Sequence, residues 1–394
     1  MTCRKVTKDV YFLGAIDWDR RLFDALIPLP NGTTYNSFLV KGSDKTALID
    51  TVDPSKSHVL LENLNDSDIF QLDYVVINHA EQDHSGSLPL VLEKYPEAQV
   101  VTNQKCKNLL VEMLLIPEEK FLVIDDRSTI ILGNKTLEFI FCPWVHWPET
   151  MVTYLREDKI LFSCDFFGSH FATSDLFATD QVLLYESAKR YYAEIMMPFK
   201  VPIQKNLEKI QNIPIDIIAP SHGPLHNQPS FIMDAYRDWI SSRVKNEVVI
   251  GYVSMHDSTH KMVEHLVDVL IQQGIRVQQF DLTRSDIGTF AMALVDAATL
   301  ILASPTTLGG AHPQVVFGAY LANALRPKTR FVSIIGSYGW GGKMYDQLVD
   351  LLSNLKIEFL DPVIIKGYPK KQDFESLTEL GVLIQKKHNE NAIS

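Results

Sequence analysis

Cysteine is scarce in this chain and never paired in sequence: Cys3, Cys106, Cys142 and Cys164 are scattered, with no C-x-x-C spacing. Structural disulfides, a thiolate zinc site, a rubredoxin-type iron site and an iron–sulfur cluster are therefore not expected. Long apolar runs are missing too. No stretch approaches the ~20 residues that span a bilayer, and the opening Met1-Thr2-Cys3-Arg4-Lys5-Val6 lacks the apolar segment of a secretion signal. No membrane partner is expected, and a reducing cytoplasm is the expected location. Positive charge is in deficit, with 37 Lys and Arg against 48 Asp and Glu and a formal charge of −11. That argues against a nucleic-acid partner, whose binding depends on neutralising phosphates.

What is present fits a globular protein: 46% hydrophobic and 22% charged residues over 394 positions, enough for two domains. Residues 10–13, 35–40 and 47–50 read as short strands, separated by Pro28, Pro30, Gly32 and Gly42, as in hairpins of a mostly antiparallel sheet. A helix is expected from about 56 to 64, a buried strand over 72–77, a helix over 88–94 and a strand over 99–101. The order then repeats in outline, with a helix over 107–115 and strands over 121–124, 128–132, 135–142 and 160–164. Strands leading into helices, twice over, suggest a layered sandwich with helices outside.

From about Asn246 the texture changes. Apolar strands at 248–253, 276–280, 299–303, 330–335 and 363–365 alternate with helical stretches, which indicates a doubly wound five-stranded parallel sheet. The expected domains are residues 1–246 and 247–394, abutting without a Gly/Ser linker.

Chemistry-bearing residues recur at one kind of place, the loop just past an apolar strand. Ile77-Asn78-His79-Ala80-Glu81-Gln82-Asp83-His84 packs two imidazoles and two carboxylates into six residues. His146 follows 135–142, Asp165 follows 160–164, and His222 follows Asp216-Ile217-Ile218. A lone histidine there is usually structural; the recurrence argues for convergence. Seven such ligands are too many for one tetrahedral ion and suit two ions ~3.5–4 Å apart sharing a carboxylate. An oxygen-rich, imidazole-containing set without thiolate suits iron or manganese at least as well as zinc.

The order His79-x-Glu81-x-Asp83-His84, then His146, Asp165 and His222, resembles the metallo-β-lactamase fold superfamily. Hydrolases of that group usually carry His where Glu81 stands, and the added carboxylate favours a redox-active iron pair. With the doubly wound second half, the whole chain resembles a flavodiiron protein (an A-type flavoprotein): a metallo-β-lactamase-like αβ/βα sandwich, with both α/β and α+β character, followed by a flavodoxin-like domain. The resemblance implies one iron on His79, Glu81 and His146, a second on Asp83, His84 and His222, and Asp165 bridging. It further implies FMN as the second cofactor, reduction of dioxygen to water and/or nitric oxide to nitrous oxide, and an external electron donor. That donor would be a rubredoxin-like protein or a reduced deazaflavin. A head-to-tail homodimer, or a dimer of dimers, would place one subunit's FMN beside the other's irons.

Three strand-end segments resemble the FMN loops of flavodoxins. Ser254-Met255-His256-Asp257-Ser258-Thr259 precedes a helix, where backbone N–H groups and hydroxyls form a phosphate cradle or an ordinary N-cap. Ser304-Pro305-Thr306-Thr307-Leu308-Gly309-Gly310 and Ser337-Tyr338-Gly339-Trp340-Gly341-Gly342 lie at the carboxyl edge where open sheets bind ligands. A nicotinamide dinucleotide fold is disfavoured because no G-x-G-x-x-G follows the first of these strands. Two departures stand out: Asp257 puts a carboxylate in the phosphate loop, and Phe23-Asp24-Ala25-Leu26 stands where the family often has Phe-His-Gly-Tyr. Tyr192 is a candidate proton donor or a core aromatic; His170, His226 and His312 are read as structural or exposed. The competing functions are a dinuclear zinc hydrolase, against which Glu81 speaks, and a flavodoxin-type electron carrier, which leaves seven convergent ligands unexplained.

Overall fold

A computed structural model describes residues 3–393; Met1, Thr2 and Ser394 lie outside the described residues. Contacts divide the chain into two compact units. One comprises the chain up to Tyr191 together with Phe199–Ile240; the other comprises Tyr192–Pro198 together with the chain from Ser241 onward.

The first unit is built on two sheets. One runs in the order Arg4–Lys5, Val10–Phe12, Phe38–Lys41, Thr46–Ile49, Tyr74–Val76, Gln99–Thr102, Phe121–Val123. Its first pairs are antiparallel, as hairpins require, and pairing turns parallel from Thr46–Ile49 onward, where helices make the crossovers. The other sheet runs Thr129–Ile131, Thr136–Phe141, Met151–Leu155, Ile160–Cys164, Ile217–Pro220, with only the last pair parallel. Val10, Phe12, Phe38 and Val76 of the first sheet share one buried cluster with Phe139, Met151, Leu155, Phe162 and Ala219 of the second. At roughly 1.5–3 kcal/mol per large side chain buried, that shared layer holds the sheets face to face. The helices bury one stripe each: Leu60 and Leu64 in Ser57–Asp66, Cys106 and Leu110 in Gln104–Leu114.

The expected strand over 35–40 is divided into Thr33–Tyr35 and Phe38–Lys41. Asn36 leaves the ladder because its backbone N–H donates to the Ser221 carbonyl (2.8 Å) and its amide to those of Pro220 (2.7 Å) and Gly223 (2.9 Å). Local propensity favoured continuation; the loop carrying His222 claimed the residue instead. Helices Gln181–Tyr191, Lys200–Ile210 and Pro229–Ile240 fill the stretch that periodicity left unassigned.

In the second unit, parallel strands lie in the order Arg276–Asp281, Lys245–Tyr252, Ala297–Thr307, Phe331–Tyr338, with Glu358–Phe359 and Val363–Lys366 both pairing with the last. One face packs against Ser258–Gln272 and Lys371–Glu390 through Met262, Leu266, Leu377 and Ile384. The other packs against Ile287–Leu294, Pro313–Leu325 and Met344–Leu351 through Phe290, Val315, Ala319 and Leu348. This is a doubly wound sheet. Two short strands extend the expected five to seven: Glu358–Phe359 and the hairpin return Gly310–Ala311. Ser304 to Thr307, read as loop from its polar residues, continues the strand. Ser304 and Pro305 pair with Gly336 and Ser337, and Thr306 and Thr307 pair back onto Gly310–Ala311. β-Branched threonines suit such a ladder.

Candidate metal centre and cofactor cleft

Four strand ends supply the first site. His79 and Glu81 follow Tyr74–Val76, and Glu81 leads into the one-turn helix Gln82–Ser85, which carries Asp83 and His84. His146 follows Thr136–Phe141 and Asp165 follows Ile160–Cys164. His222 follows Ile217–Pro220, whose parallel register sets Pro220 opposite Cys164 and so brings Asp165 and His222 together. Gly223 makes that turn possible: it has φ +82°, and a Cβ there would meet Ser169 Oγ at 2.1 Å.

The seven side chains converge, with Asp165 in the middle. Its Oδ2 faces His79 Nε2 (3.6 Å) and His146 Nε2 (3.5 Å); its Oδ1 faces His84 Nε2 (3.1 Å) and His222 Nε2 (3.4 Å). Glu81 Oε2 lies 3.1 Å from His79 and 3.2 Å from His146, and Asp83 Oδ2 lies 3.0 Å from His222. Three groups have their ligand atoms within 4.8 Å of one another: His79, Glu81, His146 and Asp165; Asp83, His84 and His222; and Asp50, His84 and Cys164, which shares His84 with the second. Both Asp83 oxygens, Asp165 Oδ2 and His84 Nε2 are buried without an aligned hydrogen-bond partner among the described residues. Buried polar atoms are rarely left so. Donors that point at common centres rather than at one another are what cation binding requires, and the oxygen and imidazole set fits a pair of iron or manganese ions.

The electrostatics agree. Burial alone would push these imidazoles down, but the carboxylates more than reverse it, raising His146 to about 9, His222 to about 10, and His79 and His84 upward. Burial pushes the Asp165 carboxyl up, yet the charges and bonds of His84, His146 and His222 hold it well below the ordinary range. The pocket thus stabilises positive charge, and ions bound there would displace protons.

Several residues that pattern reading missed hold this set. Glu149 Oε1 accepts from His79 Nδ1 (2.7 Å) and from the Ala80 N–H (3.1 Å). The Thr34 carbonyl accepts from His222 Nδ1 (2.7 Å). Tyr191, the last residue of its helix, donates its hydroxyl to Asp165 Oδ1 (2.8 Å). It is therefore Tyr191 that reaches the cluster. Tyr192, the candidate from sequence, begins the segment that belongs to the second unit. His170, left unassigned by sequence, is buried 4.9 Å from the rings of both Tyr191 and His222, with Nδ1 at 2.9 Å from Thr33 Oγ1. Burial and the His222 charge hold it well below its ordinary pKa, hence neutral. Only the position of Glu149, three residues past His146, was a signal, and it is a weak one.

A cleft of about 530 Å³ opens onto Glu81 and Asp83, walled by Phe23, Asp24 and Trp147. Asp24 sits in a tight hairpin turn where it and Ala25 both have left-handed φ (49° and 52°). Burial, then the charges of Glu81 and Asp83, raise its carboxyl to about 6. The departure noted in the sequence therefore sets the Asp24 carboxyl at the mouth of the candidate metal centre.

In the second unit a cleft of about 190 Å³ is lined by Ser254, Met255, His256, Ser258, Thr259, Pro305, Thr306, Ser337, Tyr338, Gly339 and Gly367. Gly367 follows Val363–Lys366, the same strand-end station as the others, and was not among the residues read from sequence. Asp257, Ser304, Thr307, Leu308, Gly309, Trp340 and Gly341 do not line it. Asp257 is exposed at φ +67°, ahead of helix Ser258–Gln272, so its charge lies off the cleft. The Ser304 hydroxyl is spent internally, on Pro305 O and His312 N–H.

The family model described as ODP family beta lactamase matches residues 33–223. A nitric oxide reductase of Moorella thermoacetica is 36% identical, with 95% of this chain and 96% of that protein covered. An anaerobic nitric oxide reductase flavorubredoxin of Aliivibrio salmonicida is 31% identical over 97% of this chain and 78% of its own length. Among solved structures, rubredoxin oxygen:oxidoreductase from Desulfovibrio gigas superposes with a TM-score of 0.95, at 28% identity and full coverage of both chains. The flavodiiron protein of Giardia intestinalis superposes at 0.90, with 27% identity over 98% of this chain and 96% of that one. No described helix is long and apolar enough to cross a membrane. With these relatives across nearly its whole length, the chain belongs to the flavodiiron protein family of oxidoreductases.

Proposed function

We propose that this protein reduces nitric oxide to nitrous oxide, dioxygen to water, or both, using a pair of iron ions that Asp165 would share and FMN that the second unit would hold. The observation that carries this reading is the placement of Asp165: one carboxylate oxygen faces His79 and His146, the other faces His84 and His222. Glu81 completes the first set with a hard anionic donor, which suits iron.

His79, Glu81 and His146 would hold one ion and Asp83, His84 and His222 the other. When bound, the ion pair supplies redox electrons and open coordination positions for a diatomic gas, and FMN supplies the further electrons. The chain's own residues do the rest. Phe23 and Trp147 wall the cleft leading to Glu81 and Asp83, and the Asp24 carboxyl, raised to about 6, stands at its rim. Tyr191 steadies the shared carboxylate through Oδ1. In the second unit, Ser258, Thr259 and the N-terminus of Ser258–Gln272 would take the FMN phosphate, and Tyr338 and Gly339 would border the ring. The expected division at 1–246 and 247–394 falls within the strand Lys245–Tyr252, and we place the boundary near Ile240–Ser241; the working assembly is a head-to-tail dimer or a dimer of dimers. The donor is a rubredoxin-like protein or a reduced deazaflavin, and a reducing cytoplasm suits four unpaired cysteines.

The test is anaerobic single turnover of reduced protein loaded with about two irons and FMN, mixed with each gas in turn. Oxidation of flavin and iron with formation of nitrous oxide or water is expected. No turnover of either gas would overturn the assignment, and zinc without flavin in the isolated protein would favour the hydrolase.

A further inference from the structure

The two halves of the metal centre are backed differently. His79 Nδ1 meets a carboxylate oxygen of Glu149 at 2.7 Å, whereas His222 Nδ1 meets the neutral Thr34 carbonyl, also at 2.7 Å. Glu149 is 2% exposed, and its other oxygen, Oε2, is buried without a partner. Its place is fixed from three sides. Oε1 also takes the Ala80 N–H (3.1 Å), the Glu149 carbonyl accepts from Asn103 Nδ2 (2.6 Å), and Asn103 Oδ1 caps Gln104–Leu114 through the Cys106 N–H. The Glu149 charge is therefore held against one imidazole and spread onto little else.

A carboxylate behind a ligating imidazole fixes its tautomer and makes it a stronger donor, typically changing metal affinity 10–100-fold. We infer that Glu149 is a positioning residue. It locks His79 with its proton on Nδ1 and its lone pair on Nε2, and thereby makes the His79–Glu81–His146 position the tighter and more electron-rich of the two. The Asp83–His84–His222 position has only a carbonyl behind His222, and the Asp50 carboxylate near His84 is committed to the Asn78 N–H (2.7 Å) and Nδ2 (2.8 Å); it is the one that exchanges its ion first. This rests on the two-ion reading proposed above.

Its test needs no turnover. Metal-free protein is titrated with ferrous iron against a chelator under anaerobic conditions, and ⁵⁷Fe-loaded samples are followed by Mössbauer spectroscopy. The unsubstituted protein should take up two ions in separable steps; a single ion would sink the two-ion reading itself, apart from the role of Glu149. Glu149→Gln keeps the shape but removes the charge, and should weaken the tighter step about 10–100-fold while leaving the other within about threefold. One Mössbauer doublet should shift and the other stay. Glu149→Gln combined with His79→Ala should cost little more than His79→Ala alone, since the carboxylate acts through that ring. If Glu149→Gln fails to fold, by circular dichroism of the metal-free form, Glu149→Asp carries the same test with a smaller loss at the same step. Equal weakening of both steps, no change in either, or full additivity with His79→Ala would overturn the proposal.

Discussion

The candidate sites of the two units are built in opposite ways. In the first, the site is an interior: His79 and Asp165 are buried, ionisable groups crowd within 4.8 Å of each other, and partners behind them fix their directions. In the second, the site is an edge, made of loop backbone, hydroxyls and glycine, with Met255 half-exposed beside it. A metal ion needs charged atoms at fixed points, and burial makes those charges costly unless an ion or proton joins them. A flat phosphorylated ring needs surface and backbone donors, which a sheet edge offers without burying charge. The first site is therefore the more brittle.

Substituting Asp165 should break the comparison most completely. Asp165→Ala removes the oxygens facing both ligand groups and should reduce iron from about two ions per chain to near none, by metal analysis, while leaving flavin content unchanged. If one ion persists at full occupancy, Asp165 does not bridge.

Acidification tests what the units share. His226 in the first unit and His388 in the second are each pushed down to about 4 by burial. The unfolded chain takes up a proton near pH 6.5 before the folded form does, so stability is complete above that value and falls as pH drops toward 4. For the wholly buried His226 this amounts to at most roughly 3 kcal/mol. Urea unfolding of the metal-free protein at pH 7 and pH 4.5 should show the loss, and His226→Gln should flatten it; an unchanged slope would remove His226 from the account.

A hydroxyl change probes the edge site. Thr259 lies 3.4 Å from Ser337 across the flavin cleft. Thr259→Val should weaken FMN binding about 10- to 150-fold, from the ~1.5–3 kcal/mol of a hydrogen bond to a charged group. Iron content should not move; a parallel loss of iron would mean the sites are coupled. A comparable effect is expected at Tyr191. Tyr191→Phe deletes the hydroxyl on the Asp165 carboxylate and should cost about 1.5–3 kcal/mol of metal-loaded stability, read as a lower melting temperature.

The convergence of the seven side chains was legible because each follows an apolar strand, and a strand end is visible in a one-dimensional pattern. What lies behind them was not. Glu149, Thr34 and Tyr191 act across 70, 188 and 26 positions of chain, and nothing local distinguishes a carboxylate that backs a histidine from one that faces water. The choice between Tyr191 and Tyr192 shows the limit at its narrowest, since neighbouring tyrosines at a helix end differ only in direction. The doubly wound order was readable from alternating strands and helices. The extension of one strand through Ser304 to Thr307 was not, because polar residues in a ladder look like a loop until their pairing partners are known.

The division of the ligands between the two sheets has a consequence in time. His79, Glu81, Asp83 and His84 follow a strand of one sheet, whereas His146, Asp165 and His222 follow strands of the other. A growing chain completes His79, Glu81, His146 and Asp165 while His222 is still unmade. At ~5–20 residues per second, roughly 3–11 seconds separate Asp165 from His222 during synthesis. All residues of the group backed by Glu149 are thus made first, and the second group is complete only once the strand Ile217–Pro220 and the loop after it have been made.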